Sequence, residues 1–577
     1  MSRKQVERLL AHLEEGRFRF ESGEGARFVS LLRALDRQRI SDPPALIRFH
    51  EALLFLRAFP HGPAVLRTTA IILSGFHKKV EVLREAGADM DVFDTFEHSG
   101  IAGTTMEDTL SFDVARWVLR RMAGSVRIAW ENYEPGRELG TTGPRIMPLL
   151  EDDASVEADT PFQRWLQAAG SAHATAKWLI ERFERLPLPD RQRAELYESL
   201  RIPLRWDLKN SPISRTRNWN TPRNIYYHHG PLIERKQVSL AAELARRPPK
   251  LTRLSLREGQ AIAEKIREVM LVRFRELYGT TLADPRSVAR VDLGDHEAAR
   301  GLAIYLWNLP PEQRLPLRAY VAGFTLKNGV PINYIEAIGI CEWMEVGFNT
   351  FYTFRGGEAG WVYAQVLRAL CALMGTTVVS VYPYQLGHEN DEAIESGAFW
   401  FYRKLGFRPG RPELRAVAER EERRLAADKS YRTPARTLRR LAAGHVFYEL
   451  PGSEPGGWDR FSTRNIGLGV NRRMAREFGG DAARMREHAT RALERVLAVR
   501  TASWAPLERS AFQNFALVLA GQRQLDGWSD GEKRDLRRLI REKAQPDEMQ
   551  YLHRTQAHAG LRRILLQLGS KTPPAAR

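Results

Sequence analysis

Residues 318–340 read RAYVAGFTLKNGVPINYIEAIGI. Two runs rich in β-branched and aromatic residues, 318–326 and 330–340, flank an Asn-Gly pair. Asn-Gly tolerates positive φ at both central turn positions, so the stretch predicts a hairpin. The same texture continues upstream in ARGLAIYLWNL (299–309) and downstream in EVGFNTFYTF (345–354). A helical pattern follows, GWVYAQVLRALCALMG (360–375), and then a strand, TTVVSVYPY (376–384). After a polar loop comes SGAFWFYRKLGF (396–407), a short aromatic helix stopped by Gly406 before a strand restarts at Phe407. Four strands, helix, strand, helix, strand predict an α/β domain with a central mixed sheet over residues 286–412.

On either side the pattern is helical. LIRFHEALLFLRAF (46–59), FDVARWVLRRM (112–122), FQRWLQAAGSAHATAKWLIERFERL (162–186) and EGQAIAEKIREVMLVRFRELYG (258–279) space apolar residues three and four apart. Residues 1–285 are therefore read as a mainly helical N-terminal domain and 413–577 as a basic helical C-terminal region. The fold class is α+β/α multidomain, which suits a chain of 577 residues, too long for one core. EDDASVEAD (151–159) is expected to be a surface loop and the tail SKTPPAAR (570–577) disordered.

The formal net charge is +18. Residues 401–577 hold 36 Lys and Arg against 20 Asp and Glu, an excess of 16. Such asymmetry suits an acidic partner, nucleic acid first. The simpler reading, preferred here, is a set of solvated helix faces on which Arg and Glu alternate. No apolar run is long enough to span a bilayer, so no membrane association is expected. MSRKQVERLLAHLEEGRFRF lacks the apolar run of a secretory signal, and two cysteines cannot build a disulfide framework. A cytoplasmic location is the expectation.

Two stretches carry candidate chemistry. In TFRGGEAGWVYAQVL (353–367), Gly356, Gly357 and Gly360 sit where a strand passes into a helix, beside Arg355. Glycines let backbone amides approach an anion, and a helix N-terminus offers free N–H groups to it. The spacing is neither G-x-G-x-x-G nor a P-loop. In GHENDEAIESGAFWFYRKLGF (387–407), Phe399 and Tyr402 share a helix face.

This succession resembles the GNAT superfamily of acyl-CoA N-acyltransferases over roughly residues 290–412. The resemblance implies an acyl-CoA donor, acetyl-CoA or another, and an amine acceptor, with no metal. It places Arg355, Gly356, Gly357 and Gly360 on the coenzyme A pyrophosphate. Phe351, Thr353 and Asn390 fall beside the cofactor, and Tyr402 is the general acid for the departing thiolate. The family loop usually has Gln or Arg first, Gly fourth, and Gly or Ala sixth. Here Glu358 holds the fourth position, and a carboxylate beside pyrophosphate is unfavourable unless it points away. Glu336, Glu342 and Glu345, on strand-like segments, are the candidates for the base that takes the amine's proton. Burial raises a carboxylate's pKa, which suits such a base.

Two clusters remain. Asp89, Asp91, Asp94, Glu97 and His98 could supply metal ligands, but their spacing fits no metal-loop signature. SRTRNWNTPRNIYYHHG (214–230) could stack bases, though an ordered loop packed across the helical domain is preferred. The alternative to an enzyme is a non-catalytic GNAT-shaped scaffold whose basic C-terminal region binds nucleic acid or a protein. The oligomeric state is open.

Overall fold

The computed structural model describes residues 3–570 except 21–23, 96, 123, 135–141, 143–145, 147–161, 169–171, 210 and 276–281. The acidic stretch 151–159 and residues 571–577 of the tail lie outside the described residues.

The expected hairpin forms. Asn328 and Gly329 take φ of 47° and 76°, joining strands that pair from Lys327 against Val330. A Cβ on Gly329 would lie 1.9 Å from the Asn220 carbonyl oxygen, so glycine is required there for space as well as for φ. The Asn328 side chain then fastens the turn. It donates to the Ala58 and Tyr226 carbonyls, at 3.0 and 2.9 Å, and accepts from the Tyr226 N–H at 2.8 Å.

Around this hairpin a nine-stranded sheet is assembled, preceded in the chain by a three-stranded one. The small sheet pairs β1 (Thr105–Thr109), β2 (Val126–Ile128) and β3 (Pro203–Asp207) in the order β1-β3-β2. The large sheet comprises β4 (Lys250–Arg253), β5 (Ala289–Asp292), β6 (Leu302–Asn308), β7 (Ala319–Lys327), β8 (Val330–Ile340) and β9 (Trp343–Thr350). It is completed by β10 (Val378–Val381), β11 (Arg408–Pro409) and β12 (Val446–Glu449). Its order is β4-β5-β6-β7-β8-β9-β10-β12-β11, and among the described residues β9/β10 is the one parallel pair in it. Every residue of β7 and β10 is buried, so the middle of the sheet is covered on both faces. The sheet takes β4 and β12 from outside residues 286–412.

One hydrophobic core runs from Val6 in the first helix through the sheet to Leu565 in the last. A second core lies between the small sheet and helices Phe112–Arg121, Ala172–Arg185 and Asp190–Ser199. Helix Leu256–Phe274 belongs to both: Ile266, Val269 and Met270 face the first, Leu271 and Val272 the second. The C-terminal helices are fastened to the sheet as firmly. Tyr320 N–H donates to Glu548 at 3.2 Å, and Cys341 N–H to Thr555 at 3.1 Å. Many arginines of the last third are ion-paired, among them Arg408 with Asp459, Arg541 with Glu508 and Arg562 with Glu342. Cys341 and Cys371 are free thiols. Among the described residues no helix is long and apolar enough to cross a membrane.

Candidate functional site

Strands β9 and β10 run together for three residues, Trp343, Met344 and Glu345 against Val378, Val379 and Ser380. Beyond that the two part. β9 continues to Thr350, paired only with β8, while the chain after β10 turns into the short helix Pro383–Leu386. A cleft of about 730 Å3 opens at this fork. It is bordered by Phe348, Asn349, Thr350 and Phe351 from β9 and its end, and by Gln385, Asn390, Phe401 and Tyr402 across from them.

The glycine loop forms the cleft's outer wall, through Arg355, Gly356, Gly357 and Gly360. It opens helix Ala359–Met374, whose N-cap, Glu358, makes no side-chain bond to the first turn. The first turn thus has no side-chain cap from Glu358, and its residues Ala359 and Gly360 border the cleft. The glycines also answer to packing. A Cβ on Gly356 would come within 2.8 Å of the Phe18 ring, and one on Gly357 within 2.8 Å of Phe59. Arg355, partly exposed at the rim, is ion-paired with Glu392, and Arg235 lies against Gly360.

Glu358 is not among the residues that border the cleft. Its carboxylate is buried among Arg300, whose Nε is 3.0 Å away, Lys327 at 2.8 Å, and the Ile233 N–H at 3.2 Å. Burial pushes this carboxyl up, but Lys327 and Arg300 outweigh burial and hold it at about 2.

Of the other residues expected at the site, Phe351, Asn390 and Tyr402 also border the cleft. Tyr402 is buried beside the rings of Tyr363 and Phe407, and burial raises its phenol well above the usual range. Asn390 caps helix Asp391–Glu395 by accepting from the Ala393 N–H and donates to the Tyr384 carbonyl. Thr353 is buried outside the cleft and donates to Glu51.

The three glutamates stand apart from one another. Glu345 is the last β9 residue paired with β10 and lies 3.0 Å from His445 Nε2. Glu336, on the same pleat of the sheet opposite Gly347, accepts from the Tyr320 hydroxyl, and burial raises its pKa. Glu342 lies at the β8–β9 turn, the far end from the cleft. There Arg562 and the Trp458 indole N–H, at 2.8 Å, hold its carboxyl low against burial. None of the three borders the cleft.

Residues 1–285 complete the cleft, with Glu97, Arg215, Arg235, Arg273 and Phe274 among them. Sequence reading met Arg215 only within the candidate base-stacking stretch 214–230 and passed over Arg235 and Arg273; Arg273 sits in the apolar run VMLVRF (269–274), which reads as core. The segment 214–230 is an ordered, largely packed loop: Ser214, Arg215, Thr216, Asn218 and His228 are buried. In the acidic cluster, Asp94 pairs with Arg275, Asp89 accepts from the Asp91 N–H, and the His98 ring meets Tyr352. No family model matches the chain, and neither does any curated protein or solved structure.

Proposed function

We propose that this chain moves an acyl group from an acyl-CoA thioester to an amine. The observation that carries this reading is the fork: two parallel strands part, and the cleft between them joins an uncapped helix N-terminus to Tyr402. With Glu358 turned inward, the glycine loop borders the cleft, and an anion there would compete with Glu392 for Arg355. The pyrophosphate of coenzyme A would meet the loop's N–H groups, with Arg235 adding charge.

In the transfer the amine nitrogen bonds to the acyl carbon and the carbon–sulfur bond breaks. The sulfur takes a proton from Tyr402, which burial keeps protonated. The amine gives up a proton to a carboxylate. Glu345, where the strands part, stands back from the cleft, so the proton reaches it through an intervening water, and His445 beside it can pass the proton on.

Calorimetric titration with acetyl-CoA and longer acyl-CoAs tests the reading, and absence of binding at millimolar ligand overturns it. The scaffold reading then stands, since Phe18 and Phe59 account for Gly356 and Gly357 by packing alone. Where binding occurs, Tyr402→Phe is expected to lower kcat about 100-fold, the usual scale of general-acid loss, with little change in affinity. Unchanged turnover removes the general-acid role.

A further inference from the structure

The end of the cleft under Phe351 differs from its rim. Arg273 and Arg215 border it, both buried at 4% and 2% exposure. Arg215 is paired with Glu51 at 3.4 Å and donates to the Glu97 carbonyl. Among the described residues Arg273 has neither a paired carboxylate nor a hydrogen-bond acceptor. Its guanidinium carbon is 4.0 Å from the centre of the Phe351 ring, and its Nε has no partner. Buried Arg57 lies behind, near enough to repel it, with Nε and one terminal nitrogen unpartnered. Against these three guanidinium groups stand Glu51 and, nearer solvent, Glu97. His50 adds no charge at neutral pH, because burial holds it at about 4. A buried guanidinium left without its own counter-anion is costly, and an anion brought by a ligand would offset that cost.

We propose that this end of the cleft binds a carboxylate carried by the ligand, seated on Arg273 with Arg215 beside it. A planar guanidinium takes a carboxylate through two parallel N–H bonds. Phe274 and Phe351 line the approach, which suits a short apolar stem next to the carboxylate. The choice of source rests on the acyltransferase reading. The carboxylate belongs either to an amino acid whose amine is acylated or to the far end of a dicarboxylic acyl chain.

Calorimetry on the full chain separates these cases, using N-acetylalanine, N-acetylalaninamide, inorganic phosphate, acetyl-CoA and succinyl-CoA. An acceptor carboxylate predicts N-acetylalanine binding about tenfold or more tighter than its amide, the scale of a charged hydrogen bond. A donor carboxylate predicts the same preference for succinyl-CoA over acetyl-CoA. In either case Arg273→Gln abolishes the preference, and Arg273→Lys keeps part of it. Equal binding within both pairs overturns the proposal. So does phosphate binding tighter than every carboxylate, or a preference that survives Arg273→Gln. The melting temperature of Arg273→Gln is expected to hold or rise, since a buried charge is lost. A large fall overturns the proposal by making Arg273 a structural partner. If acetyl-CoA fails to bind but N-acetylalanine still outbinds its amide, the acyltransferase reading falls and the carboxylate site stands.

Discussion

At the scale of single residues, Glu358 holds together a buried ion cluster beside the cleft. It is ion-paired with Lys327, whose side chain is wholly buried, and with the partly exposed Arg300. Removing one member of a buried ion pair leaves the other charge without compensation. Glu358→Gln is therefore expected to destabilise the protein by about 3–5 kcal/mol at neutral pH. Burial already holds Lys327 down at about 8 even beside Glu358. Without the carboxylate Lys327 sheds its proton more readily, so the penalty should shrink at about pH 9. Denaturation midpoints of the two proteins at both pH values check this; a cost below about 1 kcal/mol, the value of an exposed pair, contradicts it. The same residue shows what the sequence could carry. The departure at the fourth loop position was visible in it, but the direction of the side chain was not. That direction is set by Lys327, 31 residues upstream on β7, and by Arg300 just before β6.

At the scale of elements, the hairpin was legible because its determinants are adjacent in sequence. Asn-Gly and alternating β-branched residues are enough to specify it. Helix Ala359–Met374 was legible through its period and its terminal glycine. β4, β5 and β12 were not: KLTR, ARVD and VFYE are too short to show a period, and pairing across the sheet selects them. The expected strand over 376–384 shortens to Val378–Val381, because Pro383 starts a helix and so opens the fork. The glycine loop, Asn390 and Tyr402 could be found from one segment, whereas Arg215 and Arg273 reach the cleft from far upstream. The hairpin's tip also makes a prediction. Gly329→Ala places a methyl group 1.9 Å from a carbonyl oxygen, at a φ that L side chains rarely adopt. A cost of about 1–3 kcal/mol is expected from overpacking and strain together. Thermal denaturation reads it, and a wild-type melting temperature would show that the turn and residue 220 move apart freely.

At the scale of the whole molecule, the continuous core joins segments that sequence texture had divided. β12 lies between β10 and β11, so a fragment beginning at residue 413 would remove a strand from the sheet. The same interlocking buries histidines between the N-terminal helices, the loop 214–230 and the sheet. His50 lies among Glu51, Arg57, Arg215 and Thr216, and burial lowers it from 6.5 to about 4. His228 lies among Lys327, Arg300, Glu358 and His61, and burial followed by Lys327 lowers it to about 3. Burial lowers His98 as well. The unfolded chain takes up these protons near pH 6.5 and the folded chain does not. Stability is therefore full above pH 6.5 and declines as pH falls toward 4 and then 3. Glu358 adds loss of the same sign, but only below its ordinary 4.5. Between 6.5 and 4.5 the buried histidines set the decline, opposed by Glu336, whose raised pKa favours the folded protein as pH falls. Denaturation midpoints measured across that window should fall steadily for the wild-type protein. They should fall less for His228→Gln, in which an uncharged amide replaces the ring. A flat wild-type profile there would mean that these histidines accept protons without unfolding, and that the packing around loop 214–230 admits water.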